Sequence, residues 1–259
     1  MSRFSKLEFE YVSPGRLETA AESTVPDEGF HLREAAAAFE NGDFEEALRA
    51  YAKVLEHNPR NPVPWTGQVR MLIELGEFRE AKLWADKALE MFPHEPELLA
   101  AKAVALARLG DFKAAMAYSD ASFGERGDSA YLWVARADVL LAQRQPKADY
   151  CIERAIILDP ANWLVHWLIS RVNSYYGRFA HALASAQKAL ALDVSRAQVW
   201  LQTALCQQEL GLLDAAFESN THALRLNPTD PRAREMMASL EMTPAYSSWW
   251  RRCRQFFRK

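Results

Sequence analysis

The side chains that could carry out chemistry are scattered along this 259-residue chain. The three cysteines, Cys151, Cys206 and Cys253, share no metal-ligand spacing with one another or with the six histidines. The glycines stand singly rather than in a loop that could hold a phosphate, and no spacing pairs a nucleophile with a base. We therefore expect a protein without intrinsic enzymatic activity, without a metal site and without a cofactor.

The segment 244–259, PAYSSWWRRCRQFFRK, combines aromatic and basic side chains. If it is helical, its aromatic residues form one stripe and its arginines lie on the other side, which is typical of a basic amphipathic helix. Such a helix docks on an anionic membrane surface or in an acidic protein groove. The alternative is that the segment forms an extra cap, whose aromatic rings pack on the part of the chain that precedes it. The docking residues predicted here are Trp249, Trp250, Arg251, Arg252, Arg254, Phe256 and Phe257.

The charge of the chain is unevenly distributed. The formal net charge of −3 includes five positive charges in the last nine residues, so the rest of the chain carries −8. Because nucleic-acid-binding proteins usually present a basic surface, an acidic body disfavours a nucleic-acid partner.

The ends and the cysteine usage bear on localisation. Residues 1–20 lack the apolar core of a secretory signal, and no stretch of about 18 apolar residues could span a bilayer. The dispersed cysteines are typical of a reducing compartment. We expect a cytoplasmic protein, with peripheral membrane association through the tail as the alternative.

The most regular feature is a repeat of about 34 residues. Six alanines recur at intervals of 34, 34, 33, 34 and 34 residues, and glycines, phenylalanines, tryptophans and prolines recur in the same phase. The alanines are Ala47, Ala81, Ala115, Ala148, Ala182 and Ala216, and the glycines are Gly42, Gly76, Gly110, Gly177 and Gly211. In these residues the chain resembles a tetratricopeptide repeat (TPR) protein with about six repeats. The resemblance implies an all-α, right-handed superhelical solenoid of stacked antiparallel helix pairs, with a C-terminal capping helix.

The repeat phase predicts the boundaries of the segments. Residues 1–27 form a polar extension, expected to be flexible, in which FSKLEFEYV alternates like a strand that could lie along a groove. The six repeats cover 28–61, 62–95, 96–129, 130–162, 163–196 and 197–230, followed by a capping helix at 231–243 and the tail at 244–259. Gly127 stands where a proline is expected, so the junction near 124–130 is either a seam or an irregular loop.

The first helix of each repeat lines the concave surface in this family, and the resemblance carries that role onto particular residues here. The implied partner-binding groove contains Arg70, Arg108, Tyr131, Asp138, Trp167, Arg171 and Tyr175, together with Leu201, Leu205 and Gln208 from repeat 6. Trp167 and Tyr175 could instead serve as packing residues between helices. A subset of the family grips a C-terminal carboxylate with Lys and Asn, but repeat 1 has Leu32 and Ala36 at those places. We therefore do not expect a carboxylate clamp.

These observations favour an interaction protein: a scaffold or adaptor that binds a peptide or a partner helix in the concave groove. The alternatives are a non-catalytic recognition subunit of a larger enzyme or secretion complex, and a membrane-associated assembly factor that docks through the tail.

Overall fold

The computed structural model describes residues 28–125 and 128–242, and these residues form thirteen α-helices and no strand. The chain divides into two compact units, Met1–Gly127 and Asp128–Lys259. The helices of the first unit are α1 (Glu28–Glu40), α2 (Phe44–His57), α3 (Pro62–Glu74), α4 (Phe78–Met91), α5 (Pro96–Arg108) and α6 (Phe112–Gly124). Those of the second are α7 (Ala130–Ala142), α8 (Ala148–Leu158), α9 (Trp163–Tyr175), α10 (Phe179–Leu192), α11 (Ala197–Glu209), α12 (Leu213–Leu226) and α13 (Pro231–Met242).

Within each unit, consecutive helices pack as pairs around the periodic alanines. Each of the six alanines named above lies in the second helix of its pair and is at most 1% exposed. Because a methyl group is the whole side chain, the two helices of a pair approach closely at this point, and a larger residue would overpack the contact. The fold class is therefore the all-α, paired-helix architecture that the period predicts.

A left-handed residue ends the first helix of every pair. Five of these residues are the periodic glycines, with φ between 70° and 88°. In the pair α7 and α8 the position belongs to Arg144, which adopts φ 55° although it carries a β-carbon. The following amide donates to a carbonyl five residues back in each turn, as Gln145 does to Leu140. This pairing satisfies the helix end in the same way whether or not glycine is present.

A second recurrent contact fixes the loop that precedes the first helix of a pair. The indole N–H of Trp65 donates to the carbonyl of Pro59, and that of Trp200 donates to the carbonyl of Val194. His166 makes the same contact with Pro160, and Arg234 makes it with Pro228. A side chain at one repeat position thus anchors the loop six residues earlier, with different donors filling the same role.

The contact between α2 and α3 in the first unit pairs a large side chain with a residue that has no side chain. Tyr51 occupies the position that Ala85 holds 34 residues later, and its ring lies over Gly67 on α3. A β-carbon built on Gly67 would lie 2.5 Å from the Tyr51 ring. The large residue on α2 is therefore accommodated by the absence of a side chain on α3.

The last helix of the described residues, α13, covers the apolar end of the pair α11 and α12. Ala233, Met236 and Leu240 of α13 pack in one cluster with Leu201 and Ala216. Asn220 of α12 also donates to the carbonyl of Ala233 at 2.8 Å. The fold thus includes a C-terminal capping helix, and the segment boundaries stay predictions.

Candidate functional site

The second unit contains an open cavity of about 420 Å³ between α9, α11 and α13. Two of these helices are the first helices of their pairs, and α13 occupies the corresponding place after α12. The residues that line the cavity are Trp167, Arg171, Gln198, Leu201, Gln202, Leu205, Gln208, Arg232, Glu235, Met236 and Ser239. We call this space the second-unit cavity.

The floor of the second-unit cavity is formed by α11, with apolar and amide side chains in alternation. Gln198 and Gln202 are about one helical turn apart and are 5% and 4% exposed, and Leu201 beside them is 4% exposed. Leu205 is 41% exposed, so the floor opens to solvent at this end. The Gln202 amide nitrogen donates to the Cys206 sulfur at 3.5 Å, which fixes the direction of the amide group.

One wall is formed by α9, where Trp167 and Arg171 lie one helical turn apart. Trp167 is only 1% exposed, and the Arg171 guanidinium carbon lies 5.3 Å from the centroid of its ring. This stacking holds the cationic group against the aromatic face. Both residues belong to the predicted groove, and the structure places both in the cavity wall. The Trp167 ring is therefore a buried part of that wall and presents no exposed aromatic face.

The opposite wall is formed by α13, whose position in the site the sequence interpretation missed. Arg232 hydrogen-bonds Asp230 through Nε at 3.1 Å and through Nη2 at 2.9 Å. Burial acts to raise the pKa of Asp230, but the hydrogen bonds and charge of Arg232 outweigh it, so the pKa lies below its usual range. Arg232 and Glu235, which the predicted groove does not include, line the cavity.

A sequence signal for this wall does exist. Arg232, Glu235, Met236 and Ser239 each lie 34 residues after a lining residue of α11. The 34-residue phase therefore continues through α13, which acts as a further first helix as well as a cap. The signal is weak because the residue types at these places change from one helix to the next.

The comparisons with known proteins agree with this architecture. Two tetratricopeptide repeat family models match residues 38–105 and 175–231. The chain is a tetratricopeptide repeat protein.

Solved structures with the same fold cover most of this TPR protein. A tetratricopeptide repeat protein from Parabacteroides merdae is 16% identical, with a TM-score of 0.54 over 85% of this chain and 86% of its own. A thermophilic TPR protein of Thermus thermophilus is 21% identical, with a TM-score of 0.50 over 83% of this chain and 100% of its own. At these identities the likeness concerns the fold alone. No curated protein sequence matches this TPR protein.

The remaining groove residues predicted in the second unit lie outside the cavity lining. Asp138 is 2% exposed and accepts a hydrogen bond from the Tyr176 hydroxyl at 2.7 Å. Tyr175 is 49% exposed and packs edge-on against Tyr176, with 4.9 Å between ring centroids. Tyr131, at the start of α7, is half-buried. Asp138 thus has a structural partner, whereas Tyr175 offers a ring to solvent beside α9.

In the first unit, the two predicted groove arginines are held by neighbouring side chains. The Arg70 guanidinium lies 3.8 Å from Glu97 and 5.2 Å from the Phe39 ring centroid. Arg108 lies 5.6 Å from the Phe78 ring centroid. Their role in partner binding stays a prediction.

The predicted tail docking residues between 244 and 259 and the extension at 1–27 lie outside the described residues. Among the described residues, no group of three or more histidine, cysteine or acidic side chains could hold a metal ion. Burial raises the pKa of the Cys151 and Cys206 thiols, which lowers the reactivity of both. None of the described helices is long and apolar enough to cross a membrane.

Proposed function

We propose that this TPR protein is a scaffold or adaptor that binds a peptide or a partner helix, and that the second-unit cavity is the binding site. The TPR fold itself supports a protein–protein interaction role. The observation that carries the finer proposal is an open cavity of about 420 Å³ whose lining comes from two first helices and from α13.

The chemistry of the lining supports a peptide ligand. Apolar groups from Leu201, Leu205 and Met236 can bury an apolar side chain, and the amides of Gln198 and Gln202 can both donate to and accept from a peptide backbone. Arginine side chains supply much of the binding energy in many protein interfaces, and Arg171 lies in the cavity wall beside the buried Trp167 ring. A mixed apolar and amide surface of this kind suits an extended chain better than a small metabolite.

The proposal is tested with the full chain and a variant confined to the cavity mouth. Leu205→Glu places a carboxylate on an exposed position of the floor, and Leu226→Glu makes the same change at a comparably exposed position of α12 outside the cavity. Trp167 is a poor choice for such a test because it is buried and its truncation would cost about 3–5 kcal/mol of stability.

The readout is retention of the chain on a cellulose array of immobilised octapeptides. We expect wild type and Leu226→Glu to give the same set of binding spots and Leu205→Glu to lose most of them, while all three melt at similar temperatures. Equal binding by Leu205→Glu and the control would contradict the assignment of the cavity. If an enzyme co-purifies stoichiometrically with the chain, the protein is instead the non-catalytic recognition subunit of a larger complex.

A further inference from the structure

The charges of the second-unit cavity balance one another. Arg232 donates two hydrogen bonds to Asp230, from Nε at 3.1 Å and from Nη2 at 2.9 Å. Of the two other charged lining residues, Arg171 lies in the α9 wall and Glu235 in the α13 wall. A charged ligand group between these walls is attracted by one and repelled by the other, yet it still loses its hydration shell. The cavity therefore disfavours a charged side chain of either sign.

The apolar part of the lining has one open position. Leu201 and Met236 are 4% and 5% exposed and belong to the cluster that joins α13 to α11 and α12. Leu205 is 41% exposed, and among the described lining residues it is the only exposed large apolar side chain. The same repeat position is held by Arg171 on α9 and by Ser239 on α13, which also line the cavity, so Leu205 lies between the two walls. A ligand side chain that enters from solvent therefore packs on Leu205.

We propose that the second-unit cavity selects an uncharged peptide segment with one large apolar side chain, and that Leu205 limits the size of that side chain. This ligand chemistry, which rests on the proposed function, follows from the balanced walls and the apolar floor. An apolar side chain gains free energy when it leaves water and needs no ionic partner. Uncharged neighbours avoid the cost of placing a charge between the walls. The amide groups of Gln198 and Gln202 can hydrogen-bond the peptide backbone whatever its sequence.

Leu205 differs from the buried apolar residues in what its replacement changes. Shortening Leu201 or Met236 removes packing from the core cluster and destabilises the fold. Shortening the exposed Leu205 side chain enlarges the mouth of the cavity with little loss of internal packing. Leu205→Ala should therefore change which side chain binds and leave the stability of the protein almost unchanged.

A positional-scanning octapeptide array probed with the full chain measures the residue preference of the cavity. At one position we expect Leu, Ile, Met or Phe, and at that position and both neighbours we expect Asp, Glu, Lys and Arg to be disfavoured. Fluorescence anisotropy with the best labelled octapeptide gives its Kd. Alanine at the apolar position should weaken binding about tenfold to fiftyfold, because fewer apolar groups are buried. Since the peptide forms no ion pair, its Kd should change less than about twofold between about 50 and about 500 mM NaCl.

A pair of size variants tests the role of Leu205. Leu205→Ala should shift the preferred residue to Phe or Trp, because the removed atoms leave room for a larger side chain. Leu226→Ala makes the same change at a comparably exposed position of α12 outside the cavity and should keep the wild-type preference. The wild-type preference in Leu205→Ala would show that Leu205 does not limit the size of the ligand.

Removal of one wall charge at a time tests the balance. Arg171→Gln leaves the charge of Glu235 without its counterpart and should admit lysine beside the apolar residue, binding that peptide about tenfold more tightly than wild type does. Glu235→Gln should do the same for a peptide with aspartate or glutamate there. Arg225→Gln on the exposed face of α12 removes a charge outside the cavity and should change nothing. An unchanged preference in both cavity variants would overturn the charge balance.

Three other outcomes would overturn the inference. Array binding that depends on Leu205 but prefers a charged residue, or weakens steeply with salt, would leave the proposed function standing and refute the ligand chemistry. Array binding that appears only after deletion of residues 244–259 would make the tail the occupant of the cavity. No array binding by any form of the chain would refute the proposed function and this inference with it.

Discussion

The contact between Tyr51 and Gly67 gives the sharpest stability prediction in the protein. A β-carbon on Gly67 would lie 2.5, 2.6 and 2.7 Å from three atoms of the Tyr51 ring. Carbon atoms normally approach to about 3.5–4.0 Å, so Gly67→Ala creates an overlap of about 1 Å. All three atoms belong to the outer end of the Tyr51 ring, so the ring of this half-buried residue must move as a whole to relieve the overlap.

The expected magnitude follows from two opposing effects. Overpacking costs about 1–3 kcal/mol, and an overlap this deep belongs at the upper end of that range. Alanine is favoured over glycine in a helix interior by about 1 kcal/mol, which offsets part of the cost. We expect a net destabilisation of about 2 kcal/mol, which lowers Tm by about 4–8 °C in a chain of this size.

The assay is urea and thermal unfolding of the full chain followed by circular dichroism. Gly124→Ala is the matched control, because a β-carbon there meets nothing within 4 Å. In a Tyr51→Ala background, Gly67→Ala should no longer destabilise, giving a coupling energy of about 2–3 kcal/mol between the two sites. If Gly67→Ala is as stable as Gly124→Ala, the close approach of α2 and α3 described above is wrong.

Four further predictions concern single residues of the fold. Arg144→Gly should stabilise the protein by about 1 kcal/mol because it removes a β-carbon from a residue at φ 55°, whereas Gly177→Ala at φ 70° should destabilise it by a similar amount; chemical denaturation measures both. Trp200→Phe should cost about 1 kcal/mol in the same assay because the Val194 carbonyl loses its indole donor. Burial acts to raise the pKa of Asp86, but hydrogen bonds from Lys102 and Lys82 outweigh it and leave the pKa below 3.8. The ionised Asp86 carboxylate therefore stabilises the fold at pH values above 3.8. The difference in unfolding free energy between wild type and Asp86→Asn should disappear as the pH falls from 3.8 through the lowered pKa. A difference that persists unchanged in acid would contradict this assignment.

The sequence predicts the fold well because the same packing requirement selects the same residue types in each repeat. Ala81 and its five counterparts must be small for the same reason, and their recurrence makes the pattern unmistakable. Arg144 shows the limit of that reasoning, since a left-handed turn forms there without the glycine that normally marks it. The 34-residue phase locates such a turn, but only the structure shows that an arginine adopts it.

The candidate site is less predictable than the fold. Trp167 and Arg171 could be placed in the groove from their repeat positions, but their stacking depends on side-chain conformation rather than on spacing. The predicted groove leaves out the α13 wall because Arg232 and Glu235 belong to a segment that the sequence predicts as a capping helix. Polar residues at a groove and polar residues at a surface have the same signature in sequence. The three-dimensional position of α13 relative to α11 distinguishes them.

Site-specific photo-cross-linking tests the central claim most directly, namely that a peptide occupies the second-unit cavity. A benzophenone amino acid is placed at Ser239 in the cavity wall or at Leu226 outside it, and the full chain is irradiated with the best octapeptide from the array. We expect a cross-linked product from position 239 and none from position 226, with unlabelled octapeptide suppressing the product. A peptide that binds the chain but cross-links from position 226, or from neither position, would show that the cavity is not its binding site.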